Sequence, residues 1–144
     1  MVAYADTSFL VSLYGRDANS APAQELAVKS ASPLAFTPFL RHEARNGVRL
    51  ALFRKEITPD QCQSVLAAIE ADVKTGALIE APLSWVEVYA EAEALSAAHT
   101  AKLGIRASDI LHVASAAALG AKEFYTFDAR QKALAVKAGM KVKP

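Results

Sequence analysis

Short apolar runs alternate with longer helical stretches along this 144-residue chain, and that alternation leaves few architectures open. Residues 2–6 (VAYAD) read as a first strand buried on both faces, followed by helical stretches at 8–15 and 21–31. Residues 34–37 are a second strand, and Pro38 opens a helix with Thr37 as its expected N-cap. Thr58-Pro59-Asp60-Gln61 combines a capping box with proline at the first helical position, starting a helix that Gly76 stops. Residues 77–81 form a third strand. Ser84-Trp85-Val86-Glu87 is a second capping box and opens a long helix running to about Gly104. Ser108 is placed to cap the next helix, which Gly120 closes. Residues 123–127 are a fourth strand, a last helix spans 128–139, and Lys141–Lys143 suits a short edge strand. Strands joined through helices imply a parallel α/β sheet covered on both faces.

The bulk properties agree with a single domain over residues 1–144. A hydrophobic fraction of 53% and a charged fraction of 22% belong to an ordinary globular protein. Cys62 is the lone cysteine, so an internal disulfide is impossible and a reducing compartment fits. No basic and apolar leader opens the chain, because Asp6 interrupts the first apolar run. No run approaches the roughly 20 apolar residues of a membrane span. A soluble, cytoplasmic protein is expected.

In sheets of this kind ligands bind at the carboxyl ends of the strands, where the strand order reverses. Asp6 ends the first strand and Asp128 follows the fourth, while Glu43 and Asp109 each lie near the start of a helix. Two unit charges about 4 Å apart at an effective dielectric of about 20 repel by about 4 kcal/mol. A pocket that collects such acids must protonate some of them or recruit a cation, and hard oxygen ligands select Mg²⁺ or Mn²⁺. That chemistry suits phosphodiester hydrolysis. Each acid also has a plainer reading. Asp6 is a good N-cap. Glu43 sits at the border of the apolar face carrying Leu40, Ala44, Gly47, Val48 and Ala51. Asp109 complements a helix dipole, and Asp128-Ala129-Arg130-Gln131 is a passable capping box. Thr126, two residues before Asp128, shares its strand face. His112, one turn beyond Asp109, reads as a packed or hydrogen-bonded histidine.

The net charge of +1 conceals a segregation. Residues 1–55 carry 7 Lys/Arg against 4 Asp/Glu, a balance of +3. Residues 56–100 carry 1 against 8, a balance of −7, and residues 101–144 carry 8 against 3, a balance of +5. The two basic segments hold the four acids, and cations around an acidic pocket suit a polyanionic substrate. Arg41, Arg45, Arg49, Arg106 and Arg130 are the candidates to hold phosphates; solvated helix faces are the plainer account of each. No competing constellation exists: Cys62 has no histidine base near it in sequence, and no glycine-rich phosphate loop occurs.

With these positions placed, the chain resembles the PIN domain family, and within it the VapC-type toxins of toxin–antitoxin pairs. The motifs are Ala5-Asp6-Thr7-Ser8, Thr37-Pro38 followed by Glu43, and Arg106-Ala107-Ser108-Asp109 leading into Leu111-His112-Val113-Ala114. Gly120-Ala121 then leads to Phe124-Tyr125-Thr126-Phe127-Asp128-Ala129-Arg130. Order and spacing match from residue 2 to about residue 140. The resemblance implies a Rossmann-like, three-layer α/β/α fold with strand order 3-2-1-4-5. It implies a Mg²⁺- or Mn²⁺-dependent endoribonuclease acting on RNA, usually a homodimer, held in check by a small antitoxin protein. Asp6 and Asp109 would be direct metal ligands, Glu43 a third acid that binds metal or orients water, and Asp128 a fourth. Ser8 and Thr126 would be supporting hydroxyls. Three alternatives stand beside this reading: a nuclease acting on DNA or in RNA processing, a non-catalytic module with an acidic docking pocket, and a haloacid-dehalogenase-like phosphatase. The last requires a second aspartate where Ser8 stands.

Overall fold

A computed structural model describes residues 2–144. Among the described residues five strands all run parallel: β1 (Tyr4–Ala5), β2 (Leu34–Phe36), β3 (Leu78–Glu80), β4 (Glu123–Tyr125) and β5 (Lys141–Lys143). β2 pairs with β3, β4 pairs with β1 and with β5, and a parallel bridge between Ala3 and Leu34 joins β1 to β2. The order is therefore 3-2-1-4-5, as the resemblance implies. The chain leaves β1 in one direction for β2 and β3, then returns to the other side for β4 and β5. The reversal falls between β1 and β4, which register Tyr4 against Phe124 and Ala5 against Tyr125.

The central strands are buried on both faces, which explains their unbroken apolar sequence. Tyr4 stacks on Phe124 with ring centroids 5.6 Å apart, and both are fully buried. Two groups of helices enclose the sheet. α1 (Thr7–Tyr14) packs on α2 (Ser20–Lys29) and α3 (Pro38–Phe53), which packs on α4 (Pro59–Thr75). On the other side α5 (Trp85–Leu95) lies along α7 (Ala107–Ala118), which meets α8 (Ala129–Lys137).

Local chemistry sets most boundaries. Thr37 Oγ1 accepts from Leu40 N at 3.1 Å with Pro38 at the first helical position. Thr58 and Gln61 close a full capping box. Leu40, Ala44 and Val48, spaced one turn apart, bury the inner face of α3.

Other boundaries differ from the sequence reading. The strands are two or three residues long, shorter than the apolar runs suggested. The helix expected to run unbroken to Gly104 is interrupted by a π-helical turn (Ser96–Thr100) before a short α6 (Ala101–Leu103). Ser108 caps nothing: α7 already begins at Ala107, with Arg106 in the cap position. Ser84 accepts from Glu87 N at 3.5 Å, which forms only the first half of the expected box. No helix among the described residues is long and apolar enough to cross a membrane.

Candidate active site

The fold brings the four acids to one place. Asp6, Glu43, Asp109 and Asp128 line a single cleft of about 480 Å³ at the carboxyl ends of β1 and β4. Thr7, Ser8, Arg54, Arg106, His112 and Gln131 line it with them.

Asp6 directly follows β1 and is 1% exposed. Its Oδ1 accepts from Phe9 N at 2.7 Å, capping α1, and from Ser8 Oγ at 3.0 Å. Its Oδ2 accepts from Thr126 Oγ1 at 2.6 Å and from Gln131 Nε2 at 2.7 Å. The plain N-cap reading and the site reading are thus both satisfied by one side chain. Burial pushes the carboxyl above its ordinary range, and the hydrogen bonds from Thr126, Phe9 and Ser8 oppose that shift without cancelling it. Ser8 and Thr126 contact this acid directly.

Glu43 is held by α3 within reach of a buried relay. The Tyr4 hydroxyl lies 2.9 Å from His112 Nδ1, and His112 Nε2 lies 2.8 Å from Glu43 Oε1. Burial raises the Tyr4 phenol well above its usual value, so it stays protonated. With that hydroxyl donating to Nδ1, the tautomer that pairs both ring nitrogens carries its proton on Nε2, facing the carboxylate. Thr7 Oγ1 donates to the same Oε1 at 2.6 Å. Burial alone would raise the Glu43 carboxyl, but the His112 and Thr7 donors outweigh it and hold the group below its ordinary value. Both donors fall on Oε1, and Glu43 lines the cleft.

Asp109, at the start of α7, accepts from Arg106 Nε at 3.3 Å on Oδ2 and from Gln131 Nε2 at 3.4 Å on Oδ1. Both are long for bonds to a carboxylate, and the group is the more loosely held of the two acids on Gln131. Asp128 Oδ1 accepts from Gln131 N at 2.9 Å and caps α8, while its own N–H donates to Thr126 Oγ1 at 3.0 Å.

The acids share the cleft without closing into a compact nest. Among the described residues no three His, Cys, Asp or Glu side chains stand together as a metal-binding group. The donor chemistry nevertheless fits a hard divalent cation. Asp6 and Asp109 reach the same amide nitrogen, the lining supplies carboxylate and hydroxyl oxygens, and no thiol enters the cleft.

The arginines divide. Arg41 forms ion pairs with Glu70 and, at 3.2 Å, with Glu80, while Arg45 pairs with Glu70 at 2.9 Å. Neither lines the cleft, and both are engaged in ion pairs within the fold. Arg49 and Arg130 are exposed and also lie outside the cleft lining. Arg106 does line it, joined by Arg54, which the sequence reading did not single out. His112, read as a packed or hydrogen-bonded histidine, is both: it is buried, and its Nε2 meets Glu43. Gln131, read only as the last residue of a capping box, contacts two acids. The available signals were spacing: His112 lies one turn past Asp109, and Gln131 shares a helix face with the buried Leu134 and Ala135.

Comparison with known proteins agrees with this geometry. Two of the solved structures that share the fold are described as VapC-type proteins. One is VapC20 of Mycobacterium tuberculosis, described as a sarcin-ricin loop cleaving toxin, at 18% identity and TM-score 0.66 over 91% of this chain and 93% of that one. The other is VapBC2 from Rickettsia felis bound to a DNA fragment from their promoter, at 19% identity and TM-score 0.64 over 99% of this chain and 98% of that one. Comparison with curated protein sequences returns no match. The PIN domain family model aligns with residues 3–137, and a chain so nearly spanned by it, with its acids at the β1–β4 reversal, belongs to the PIN domain family.

Proposed function

We propose that this protein is a Mg²⁺- or Mn²⁺-dependent endoribonuclease that serves as the toxin of a toxin–antitoxin pair. One observation carries the reading: four carboxylates from separate parts of the sequence line one cleft at the sheet's switch point. A divalent cation, when bound, supplies neutralisation of phosphate charge and acidification of water. Asp6 and Asp109 are the residues to hold it. Glu43, kept ionised by the His112 and Thr7 donors, orients the attacking water for in-line displacement. Asp128 is the fourth acid at the rim. Arg106 and Arg54 line the same cleft and meet the phosphates on either side of the scissile bond. Thr126 and Ser8 fix the Asp6 carboxylate. The toxin assignment draws support from the two fold relatives, one described as a sarcin-ricin loop cleaving toxin and the other as VapBC2 bound to a DNA fragment from their promoter. A small antitoxin protein and a second copy of this chain are the proposed partners, and the cytoplasm the proposed location.

Purified, partner-free protein incubated with total cellular RNA should yield discrete fragments with Mg²⁺ or Mn²⁺ and none with chelator. Asp6→Asn should abolish that cleavage while the circular dichroism spectrum stays native. Full Mg²⁺-dependent activity in Asp6→Asn would remove the mechanism. Cleavage confined to DNA would move the protein to a different nuclease role.

A further inference from the structure

Gln131 is held by one end only. Its Nε2 donates to Asp6 Oδ2 at 2.7 Å and to Asp109 Oδ1 at 3.4 Å, while its Oε1 is shut away from solvent with no hydrogen-bond partner. The residue is 4% exposed. Leaving a buried amide oxygen unpaired costs about 1–3 kcal/mol. Turning the amide over in place would be worse, since an oxygen would then face two carboxylates. The acids dictate the pose: an N–H donor stands where their negative charges converge.

Asp6 is meanwhile saturated. Each carboxylate oxygen offers two lone-pair directions, and Oδ1 serves Phe9 N and Ser8 Oγ while Oδ2 serves Thr126 Oγ1 and Gln131 Nε2. A cation that uses Oδ2, the oxygen turned toward Asp109 through this amide, has to displace a donor. Thr126 is fully buried and also accepts from Asp128 N. Gln131 is the donor that touches both acids, and its far end has no bond to lose.

A second resting place for this side chain is built into its own helix. Gln131 occupies the capping-box position of α8, and its backbone N–H already donates to Asp128 Oδ1. In a complete box the side-chain oxygen of that residue accepts from the cap residue's N–H. Here the side chain is diverted to the acids, and Asp128 N donates to Thr126 instead. Released from the acids, Oε1 gains the Asp128 N–H and ceases to be an orphan.

We propose that Gln131 is a latch on the metal pocket: without a cation its amide N–H groups occupy the place between Asp6 and Asp109, and they swing back onto the α8 cap when a divalent cation enters. The inference rests on the reading of the cleft as a cation site. The latch holds the two acids together in the metal-free protein and weakens cation binding, so the pocket loads only where the cation is abundant enough to displace it.

Gln131→Leu and Gln131→Met remove the amide at similar volume. Titration calorimetry with Mn²⁺ alone and thermal melting without metal are the measurements. Both variants should melt lower than wild type without metal and bind Mn²⁺ about tenfold more tightly, the factor for one displaced hydrogen bond to a charged group. Equal or weaker binding in whichever variants fold overturns the latch. Asp6→Asn separates this from failure of the cation site itself. If wild type binds Mn²⁺ and Asp6→Asn does not, the site stands and the Gln131 variants judge the latch alone. If only the Gln131 variants bind Mn²⁺, the latch is upheld at its strongest. If none of the proteins binds it, site and latch fall together.

Discussion

Asp6 shows how much of this site is decided at a single side chain. It is almost wholly buried, caps a helix, and takes four donors, yet burial still leaves its carboxyl above the ordinary value of 3.8. The sign of the consequence follows. A folded-state pKa above the unfolded one gives stability that is fully present below the unfolded value and is lost as pH rises through the folded value. In the metal-free protein, ionised Asp6 therefore works against folding near neutrality. The melting temperature of wild type relative to Asp6→Asn should rise as pH is lowered from 7 toward 4, in chelator. A difference that stays flat across that range would show that the buried carboxylate carries no such strain. Glu43 is tuned the opposite way, its charge favoured by His112 and Thr7, so two acids in one cleft are set apart by their neighbours. Asp6 and Glu43 were recognisable from sequence because each interrupts or borders an apolar pattern. Ser8 and Thr126, two of the Asp6 donors, were legible with them as supporting hydroxyls. The Tyr4–His112 pair behind Glu43 was not, because those residues are 108 apart in sequence and meet only through tertiary packing.

At the scale of elements, helix starts were legible wherever a short-range signal specifies them. Thr37-Pro38 and Thr58-Pro59-Asp60-Gln61 start helices as read, because cap and partner lie within one turn of each other. Ser108 failed because a favourable cap residue also sits comfortably inside a first turn, and Ile110 N already bonds to Arg106 O at 3.1 Å. The ion pairing of Arg41 and Arg45 was not legible, because their shared partner, Glu70, comes from the neighbouring helix α4. The α1–α3 contact governs the site most directly, since α1 follows Asp6 and α3 carries Glu43. Its close approach depends on Gly47, where an added Cβ would stand 3.1 Å from Val11 Cγ2. Gly47→Ala asks one methyl tip to give by a few tenths of an ångström, and the better helix propensity of alanine offsets that. Gly47→Leu should wedge the helices apart, costing about 1–3 kcal/mol in denaturant unfolding and lowering RNA cleavage more than Gly47→Ala does. Equal cleavage by the two variants would show that the helix spacing does not set the Asp6–Glu43 geometry.

Across the whole molecule, the parallel sheet and its reversal at β1–β4 follow from chain-wide alternation, and they suffice to place four distant acids in one cleft. The surface on α5 is the part that alternation leaves open. Val86 is 84% exposed, Tyr89 59% and Trp85 38%, and these three occupy little more than one turn of the helix. Trp85 packs against Tyr89 at 5.8 Å and against Phe39 at 6.0 Å, and Phe39 lies 4.8 Å from the His112 ring that bonds to Glu43. An exposed aromatic row leading inward to the cleft carboxylate of Glu43 is a surface that gains from being covered. A second copy of this chain is the occupant consistent with the proposed homodimer, since a two-fold axis lets the same patch face itself. Light scattering on the purified protein should then give about twice the 15.3 kDa chain mass. Val86→Asp, which sets like charges against each other across such an axis, should return it to the monomer. A wild-type protein that stays monomeric at tens of micromolar would leave α5 without a self-partner and assign its apolar face to the antitoxin alone.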